Sequence, residues 1–333
     1  MKANVMRAFG IDNLQVEDVE DPQPRRGEVV VKVMEAGVNP VDYFVVTGAR
    51  KVSPMPHIPG AEVAGIVEEV GDGVSGLRKG DRVIVYPRIF CGACDLCVSG
   101  HEHLCRNGGI FGMVSNGGFA EKVVVSEANL MKVPDNVDWD LAASLPVAAL
   151  TSFHALLEAG VSPGDVVVVV GASGNTGAFA VQLAKLMGAR VYAVSSKSWL
   201  TEYGADGVFS VEQSYDQLVK ATGGRLADLV IDSVGSPTIP VSLKLLDKRG
   251  KLVFFGALRG DSVTLSLMDL YNREIKVIGT TGGTRAELRR LIDIASRGLL
   301  KVRVWRRLRI HEAREALRLL FSRERDGRIM LVA

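Results

Sequence analysis

The stretch that decides the fold runs from Val166 to Gly177 and reads Val-Val-Val-Val-Val-Gly-Ala-Ser-Gly-Asn-Thr-Gly. Five consecutive valines are apolar on both faces of a strand, which is typical of the buried centre of a parallel sheet. A turn with three glycines follows, and then a helical pattern that ends at Gly188. In such a unit the backbone N–H groups of the turn point at an anion, and the glycines leave room for it. The stretch therefore predicts a dinucleotide site, against the alternative of a tight turn without a ligand.

Further strands alternate with helical stretches after this turn. They are predicted at Arg190–Val194, Asp228–Asp232, Lys251–Phe255 and Glu274–Gly279. This alternation indicates an α/β fold with a doubly wound parallel sheet, in which ligands bind at the carboxyl ends of the strands. The residues at those ends, which line the cofactor crevice unless they are only turns, are Ser233, Val234, Gly235, Gly256, Ala257, Thr280 and Thr281.

Two further sets of residues are predicted to hold the cofactor. The set at the pyrophosphate is Gly171, Ser173, Gly174, Asn175, Thr176 and Gly177. The other set, Ser195, Ser196 and Lys197, stands about 20 residues beyond the glycines, where an acidic residue would bind the ribose hydroxyls of NAD. Hydroxyl groups and an ammonium suit a 2′-phosphate, so NADPH is predicted, unless this is a plain loop with incidental serines.

All four cysteines lie in one short segment, as Cys91, Cys94, Cys97 and Cys105. This spacing can point four thiolates at one tetrahedral ion, at about 2.3 Å each. Two disulfides are the alternative, which a reducing compartment disfavours. We predict one structural Zn²⁺ per chain, with no coordination position left open for a substrate.

Composition narrows the class of protein. The chain has 333 residues, more than one hydrophobic core usually spans, so two domains are predicted. The net charge of +2 gives no bias toward polyanions, and no nucleic-acid partner is expected. We see neither an apolar signal core nor a run of about 18 apolar residues, so we expect a cytoplasmic protein with no membrane partner.

The N-terminal part of the chain is rich in β-branched runs and glycine turns. Strands are predicted at Glu28–Met34, Glu62–Val70 and Arg82–Tyr86, which together look like a small irregular β-barrel. At the other end, Arg285–Ser296 has a helical apolar face, and Lys301–Arg309 alternates as a strand with one basic face.

The whole chain resembles the medium-chain dehydrogenase/reductase superfamily, also called zinc-type alcohol dehydrogenases. The resemblance rests on Ala36–Asp42, Pro59–Glu62, Gly80–Val83, the four cysteines and the glycine turn, in matching order. It implies a GroES-like β-barrel catalytic domain of residues 1–146 and 282–333, with the zinc lobe at 91–105. It also implies a Rossmann NADP-binding domain at 147–281 and a homodimer or homotetramer, often joined through the last Rossmann strand.

Several residues depart from the pattern of the zinc alcohol dehydrogenases. Asn39 stands where the first catalytic-metal cysteine would be, and Val41 stands at the proton-relay hydroxyl. Ala61 stands at the metal-binding histidine, and the resemblance puts Val147 at the third ligand. One carboxylate, Glu62, does not hold a zinc ion alone. We therefore expect the structural zinc and no catalytic zinc.

These departures resemble zinc-free relatives such as quinone oxidoreductases and enoyl-CoA reductases. The resemblance implies an NADPH-dependent reductase of activated C=C bonds, acting on an enone, a quinone or an enoyl-CoA such as acryloyl-CoA. Asn39 is the candidate donor to the developing enolate oxygen, and Tyr43 is the candidate proton donor unless it only packs in a loop. His57 is a weaker candidate, and we expect it to be a surface histidine. The alternatives are an alcohol dehydrogenase whose metal ligands lie elsewhere and a non-catalytic NADPH-binding protein.

Overall fold

A computed structural model describes all of residues 1–333. The chain folds into two compact units. The first unit is Met1–Val147 with Thr284–Ala333, and the second is Ala148–Gly283. These boundaries lie one and two residues beyond the predicted ones, which were 146/147 and 281/282.

The chain forms seventeen strands and ten α-helices. The strands are β1 (Lys2–Met6), β2 (Leu14–Asp18), β3 (Glu28–Gly37), β4 (Glu62–Val70), β5 (Arg82–Val85), β6 (Arg88–Ile89), β7 (Gly109–Ile110), β8 (Lys122–Ser126), β9 (Leu130–Lys132), β10 (Val166–Val170), β11 (Arg190–Val194), β12 (Gly207–Phe209), β13 (Ala227–Asp232), β14 (Leu246–Phe254), β15 (Lys276–Gly279), β16 (Val304–Arg309) and β17 (Arg328–Val332). The helices are α1 (Pro40–Thr47), α2 (Asp95–Val98), α3 (Trp139–Ala142), α4 (Leu150–Ala159), α5 (Gly177–Leu186), α6 (Ser214–Thr222), α7 (Ile239–Leu245), α8 (Leu267–Asn272), α9 (Arg285–Ser296) and α10 (Ala313–Leu319).

The second unit is built on a six-stranded parallel sheet. Its order is β12-β11-β10-β13-β14-β15, the strand order 3-2-1-4-5-6 of the Rossmann fold. The valine strand β10 lies at the point where the order reverses, and all five of its residues are buried. The predicted doubly wound sheet is therefore confirmed, with its centre at the five valines.

The first unit is built on a seven-stranded sheet that curls into a barrel-like core. Its path is β16-β17-β3-β4-β5-β9, and β8 pairs with β3 as well. The long strand β3 pairs antiparallel with β4, with β8 and, through Gly37 and Met330, with β17. Because β17 lies at the C-terminal end of the chain, this pairing joins both ends of the chain in one unit.

Some local structure differs from the sequence expectations. The sequence has a helical pattern from about Asp138 to Leu157, but a π-helical turn at Leu145–Ala149 interrupts it, where Pro146 lacks an N–H to donate. Strand β16 begins at Val304 instead of Lys301, and helix α1 was not predicted. No helix is both long and apolar enough to cross a membrane.

Candidate active site and zinc lobe

The glycine turn after β10 is held in a conformation that favours glycine. Gly171 has a φ of 74°, in the left-handed region. A Cβ on Gly177 would lie 2.3 Å from the carbonyl oxygen of Gly171, so a side chain there would push the turn away from α5. The turn thus leads directly into the N-terminus of a ten-residue helix, the arrangement that presents backbone N–H groups to a phosphate.

The predicted crevice residues follow strands whose ends are in register. Val170 at the end of β10 is paired with Val194 of β11 and with Asp232 of β13. Gly171, Ser195 and Ser233 therefore stand side by side at the carboxyl edge of the sheet. Further along the same edge, Asp232 is paired with Phe254, and Phe254 with Gly279.

The turn after β13 is fixed by the buried carboxylate of Asp232. Its Oδ1 accepts hydrogen bonds from the backbone N–H groups of Val234 at 2.8 Å and Gly235 at 3.1 Å, and its Oδ2 accepts from the Ser242 hydroxyl at 2.7 Å. A Cβ on Gly256 would lie 2.8 Å from the Ser233 carbonyl oxygen, so the turns after β13 and β14 pack closely. This rigid edge can hold a flat cofactor against backbone atoms.

The residues after β11 form a short turn. The Ser195 hydroxyl accepts a hydrogen bond from the backbone N–H of Lys197 at 3.1 Å, and Ser196 is exposed. The side chains at this position carry hydroxyl groups and an ammonium and no carboxylate. The turn can therefore accommodate an anionic group on the ribose of a cofactor.

The four cysteines converge on one point. Their Sγ atoms all lie within 4.8 Å of one another, with Cys91 and Cys97 at 4.0 Å and Cys94 and Cys105 at 3.9 Å. A tetrahedron with arms of about 2.3 Å has edges of about 3.8 Å, so these sulfurs fit a zinc ion. The backbone N–H of Cys94 also donates to the Cys91 sulfur at 3.3 Å, which favours its thiolate. Zinc bound here would hold the lobe together and would have no open position.

Glu62 lies at the centre of a second polar cluster in the same unit. Its Oε1 accepts a hydrogen bond from the Val147 backbone N–H at 2.8 Å, and its Oε2 accepts one from the Asn39 amide at 2.8 Å. Oε2 also forms an ion pair with the guanidinium of Arg328. All three side chains are buried, with relative exposures of 0% for Glu62, 2% for Asn39 and 4% for Arg328.

Asn39 and Asp42 form the N-terminus of α1 beside this cluster. Asp42 is buried and accepts hydrogen bonds from the backbone N–H groups of Asn39 at 2.8 Å and Ala61 at 2.9 Å. Burial raises the pKa of Asp42 to about 7, although these two N–H groups act in the opposite direction. The loops that carry Asn39 and Ala61 are thereby tied together.

Comparison with known proteins identifies this architecture. Residues 25–135 match the model of the alcohol dehydrogenase GroES-like domain, and residues 176–297 match that of the zinc-binding dehydrogenase. A NAD-dependent alcohol dehydrogenase of Sulfolobus acidocaldarius is 34% identical over 99% of both chains. An acryloyl-coenzyme A reductase of Metallosphaera sedula is 30% identical, again over 99% of both chains.

A solved structure gives the same result. A thermostable alcohol dehydrogenase from Pyrobaculum aerophilum, solved with cobalt and zinc bound, is 40% identical, with a TM-score of 0.94 over 100% of this chain and 99% of that one. The chain belongs to the medium-chain dehydrogenase/reductase superfamily. The protein is therefore an oxidoreductase of a family that binds a nicotinamide cofactor. The predicted family and fold class are confirmed.

The catalytic metal of the zinc members of this superfamily does not fit the residues found here. The three positions that the family resemblance assigns to it carry an amide at Asn39, a methyl group at Ala61 and an isopropyl group at Val147. None supplies a thiolate or an imidazole, the ligands that zinc prefers. Both oxygens of Glu62 are already engaged, and a divalent cation there would face the guanidinium of Arg328. The four-cysteine lobe fits zinc, and this cluster does not.

The structure also changes the interpretation of two candidates. Both amide hydrogens of Asn39 are engaged, with Glu62 and with the Gly37 carbonyl at 3.2 Å, so donation to a substrate would require it to exchange one bond. The ring of Tyr43 is half-buried and packs edge-on against Phe321 at 4.8 Å, and nothing brings its hydroxyl to the Glu62 cluster. These roles stay predictions.

Sequence reasoning placed one histidine wrongly and overlooked two charged residues. His57, interpreted as a surface residue, is 4% exposed, and its Nε2 lies 2.8 Å from the Gly112 carbonyl oxygen. Arg328 was overlooked, although an arginine at the start of an apolar strand, Arg-Ile-Met-Leu-Val, is unusual. Asp42 was also recoverable, because Asn39-Pro40-Val41-Asp42 is the pattern of a capped helix start.

Proposed function

We propose that this protein is an NADPH-dependent reductase of carbon–carbon double bonds conjugated to a carbonyl. The substrate class is an enone, a quinone or an enoyl-CoA such as acryloyl-CoA. One observation carries the proposal: Glu62 and Arg328 form a closed ion pair bordered by the amide of Asn39, which stands where the resemblance puts a metal ligand. It is electrically balanced and offers no ligand set to a metal ion.

The reaction class follows because such a cluster provides no ligands for a Lewis-acid metal. An alcohol loses hydride only when its hydroxyl proton is also removed, and zinc enzymes use a Lewis acid for that task. A conjugated carbonyl accepts hydride at its β-carbon without metal assistance, because charge moves onto the carbonyl oxygen. Polar hydrogen donors near that oxygen stabilise the charge as it develops.

NADPH, when bound, supplies the hydride. The turn Gly171–Gly177 would hold the pyrophosphate through its backbone N–H groups. Ser195, Ser196 and Lys197 would hold the 2′-phosphate, because two hydroxyl groups and a cation complement a phosphate where a carboxylate would repel it.

The protein's own residues would finish the reaction on the substrate. Asn39 positions the carboxylate of Glu62 and, by exchanging one hydrogen bond, donates to the enolate oxygen. The α-carbon is then protonated by the phenol of Tyr43 or by a bound water. The acryloyl-CoA reductase among the relatives supports this class of substrate.

The second candidate is an NAD-dependent alcohol dehydrogenase. It is favoured by the names of the relatives, since the Sulfolobus acidocaldarius and Pyrobaculum aerophilum proteins are both alcohol dehydrogenases. A third, non-catalytic NADPH-binding protein would bind the cofactor without turnover.

A coupled screen separates the three. The full-length, zinc-loaded protein is assayed with NADPH and NADH against acryloyl-CoA, cyclohexenone, benzoquinone and acetaldehyde, and with NADP⁺ and NAD⁺ against ethanol and 2-butanol. We expect NADPH oxidation with an alkene or quinone, unchanged by mild chelation; Tyr43→Phe slows alkene reduction if the phenol is the proton donor and leaves it unchanged if water is. Chelator-sensitive alcohol oxidation with no alkene activity would instead establish the dehydrogenase, and binding without turnover the non-catalytic protein.

We also propose that the protein is a homo-oligomer joined through β15. This strand is the edge of the parallel sheet and is largely exposed, with Val277 at 40%. The adjoining helix α8 exposes Leu267 at 75%, Met268 at 63% and Tyr271 at 66%. An open strand edge beside apolar side chains is a surface that a second copy can cover by strand pairing.

A further inference from the structure

A cavity of about 580 Å³ lies within the first unit, away from the Glu62 cluster's residues. It is formed between helix α9, strand β9 and the turn at Gly76, and its volume is within the usual range of small-molecule sites. Its lining joins apolar and cationic side chains, among them Leu77, Leu130, Met131, Ile292, Arg285 and Arg289. We propose that this cavity binds a phosphate monoester carried on an apolar or aromatic body, with Arg285 and Arg289 holding the phosphate.

Both arginines occupy positions of α9 where a positive charge is electrostatically unfavourable. They stand four residues apart on α9, so their side chains lie on one face, where two like charges repel. Arg285 is also the first residue of the helix, at the end where the helix dipole disfavours a cation. Neither guanidinium has a salt-bridge or hydrogen-bond partner in the protein. A dianion between them would relieve both conflicts.

Arg285 is held in place before any ligand arrives. Its guanidinium carbon lies 5.4 Å from the centre of the Phe90 ring, and its backbone N–H donates to Glu102 at 2.6 Å. Its Nε is buried without a partner, so part of the guanidinium is already removed from water. A cation that is oriented and partly desolvated in advance loses less free energy when it binds an anion.

The other charged residues of the cavity are already engaged. Lys132 forms a salt bridge with Asp81 at 2.8 Å. The Oε1 of Glu127 accepts hydrogen bonds from the backbone N–H groups of Ser75 at 3.2 Å and Gly76 at 2.6 Å. Glu127 keeps its negative charge, so apart from the Lys132–Asp81 pair the lining has a surplus of about one positive charge. The two guanidiniums remain as the donors without a protein partner, and their planar N–H groups suit the oxygens of a phosphate. The apolar wall then takes the body that carries the phosphate.

Binding is tested by calorimetry on the full-length, zinc-loaded protein with saturating NADPH, which occupies the Rossmann site. The probe is adenosine 3′,5′-bisphosphate, and adenosine is its phosphate-free control. We expect the bisphosphate to bind, adenosine to bind much more weakly, and Arg289→Glu to weaken the bisphosphate by about tenfold or more. Arg290→Glu, the same charge change at the neighbouring position outside the cavity lining, should bind as the wild type does.

The same probe distinguishes two sources of the phosphate. If the cavity takes the nucleotide end of a CoA substrate, the bisphosphate raises the KM for acryloyl-CoA and leaves cyclohexenone reduction unchanged. If it takes a separate effector, both reactions change equally. Either result supports the site, and binding is measured without turnover, so it stands independently of the reaction. Equal affinity for adenosine and the bisphosphate, no binding, or an unchanged affinity in Arg289→Glu would each overturn the proposal.

Discussion

Glu62 and Arg328 lie 266 residues apart in the chain and form an ion pair in which both side chains are almost completely buried. Glu62 begins β4 and Arg328 begins β17, and both strands pair with β3 at Gly37 or next to it. A Cβ on Gly37 would lie 2.3 Å from a nitrogen of Arg328 and 2.3 Å from an oxygen of Glu62. The ion pair thus requires glycine at this crossing of three strands.

Removing one partner of this pair should be costly. In Arg328→Met the carboxylate of Glu62 stays buried without its cation, and we expect the free energy of unfolding to fall by about 3–5 kcal/mol. The exposed pair Arg7–Glu17 provides the control, because solvent screens this pair and Arg7→Met should change the free energy of unfolding little. Urea unfolding of both variants measures the difference. Equal decreases in the free energy of unfolding would show that the buried pair stabilises the protein no more than the exposed pair.

The zinc lobe should be structural. We expect elemental analysis to find one zinc per chain, and Cys94→Ser to lose that zinc and lower the Tm, because three thiolates no longer close the tetrahedron. Val98→Ser, an exposed change in the same lobe, should keep both zinc and Tm. Any folded Cys94→Ser protein should keep the oxidoreductase activity of the wild type. A zinc content of two per chain would show a second metal site.

The sequence was informative where a short pattern determines a local structure. Five valines followed by glycines predict strand, turn and helix, because no other arrangement buries the valines and leaves the turn open. The four cysteines likewise lie close together in the chain, so their spacing is enough to predict that they converge on one metal ion. The Glu62–Arg328 pair could not be predicted in this way, because it depends on how β3, β4 and β17 are brought together. His57 was misassigned for the same reason: the Gly112 turn that covers it lies 55 residues away.

Cofactor preference should depend on the turn after β11. A carboxylate in Ser195→Asp would repel the 2′-phosphate, and we expect NADPH binding to weaken by about 1–3 kcal/mol while NADH binding is retained. Ser195→Asn is the uncharged control, since its side-chain oxygen can still accept from the Lys197 N–H. Fluorescence titration with both cofactors measures the change. Wild-type protein that binds NADH as tightly as NADPH would contradict the preference.

The exposed edge formed by β15 and α8 should carry subunit contact. Leu267→Glu places a charge in the proposed interface, where burying it costs several kcal/mol, so we expect the oligomer to dissociate. Val16→Glu makes the same change at an exposed apolar residue of β2 and should not alter the assembly. Sedimentation velocity distinguishes the species. An unchanged Leu267→Glu assembly, or a monomeric wild type, would show that this edge is not the interface.

Stability should fall with rising pH because of Glu35. This residue of β3 is 3% exposed, and burial, with the neighbouring Asp140 carboxylate, raises its pKa to about 9, while Arg307 acts in the opposite direction. Below about pH 4.3 the residue is protonated in both the folded and the unfolded chain, and its contribution is fully present. As the pH rises, the unfolded chain releases the proton and the folded protein keeps it, so folding loses free energy until the folded protein also ionises, near pH 9.

Glu35→Gln removes this titration and keeps an N–H donor for Asp140. We expect the variant and the wild type to have similar Tm values near pH 4.5, and the variant to become the more stable of the two as the pH approaches 9, by about 1.4 kcal/mol for each pH unit over which the unfolded carboxyl is ionised and the folded one is not. Glu20→Gln, an exposed change, should follow the wild type at every pH. Calorimetric scans across this range decide the question. Parallel Tm profiles for Glu35→Gln and the wild type would show that Glu35 ionises normally in the folded protein.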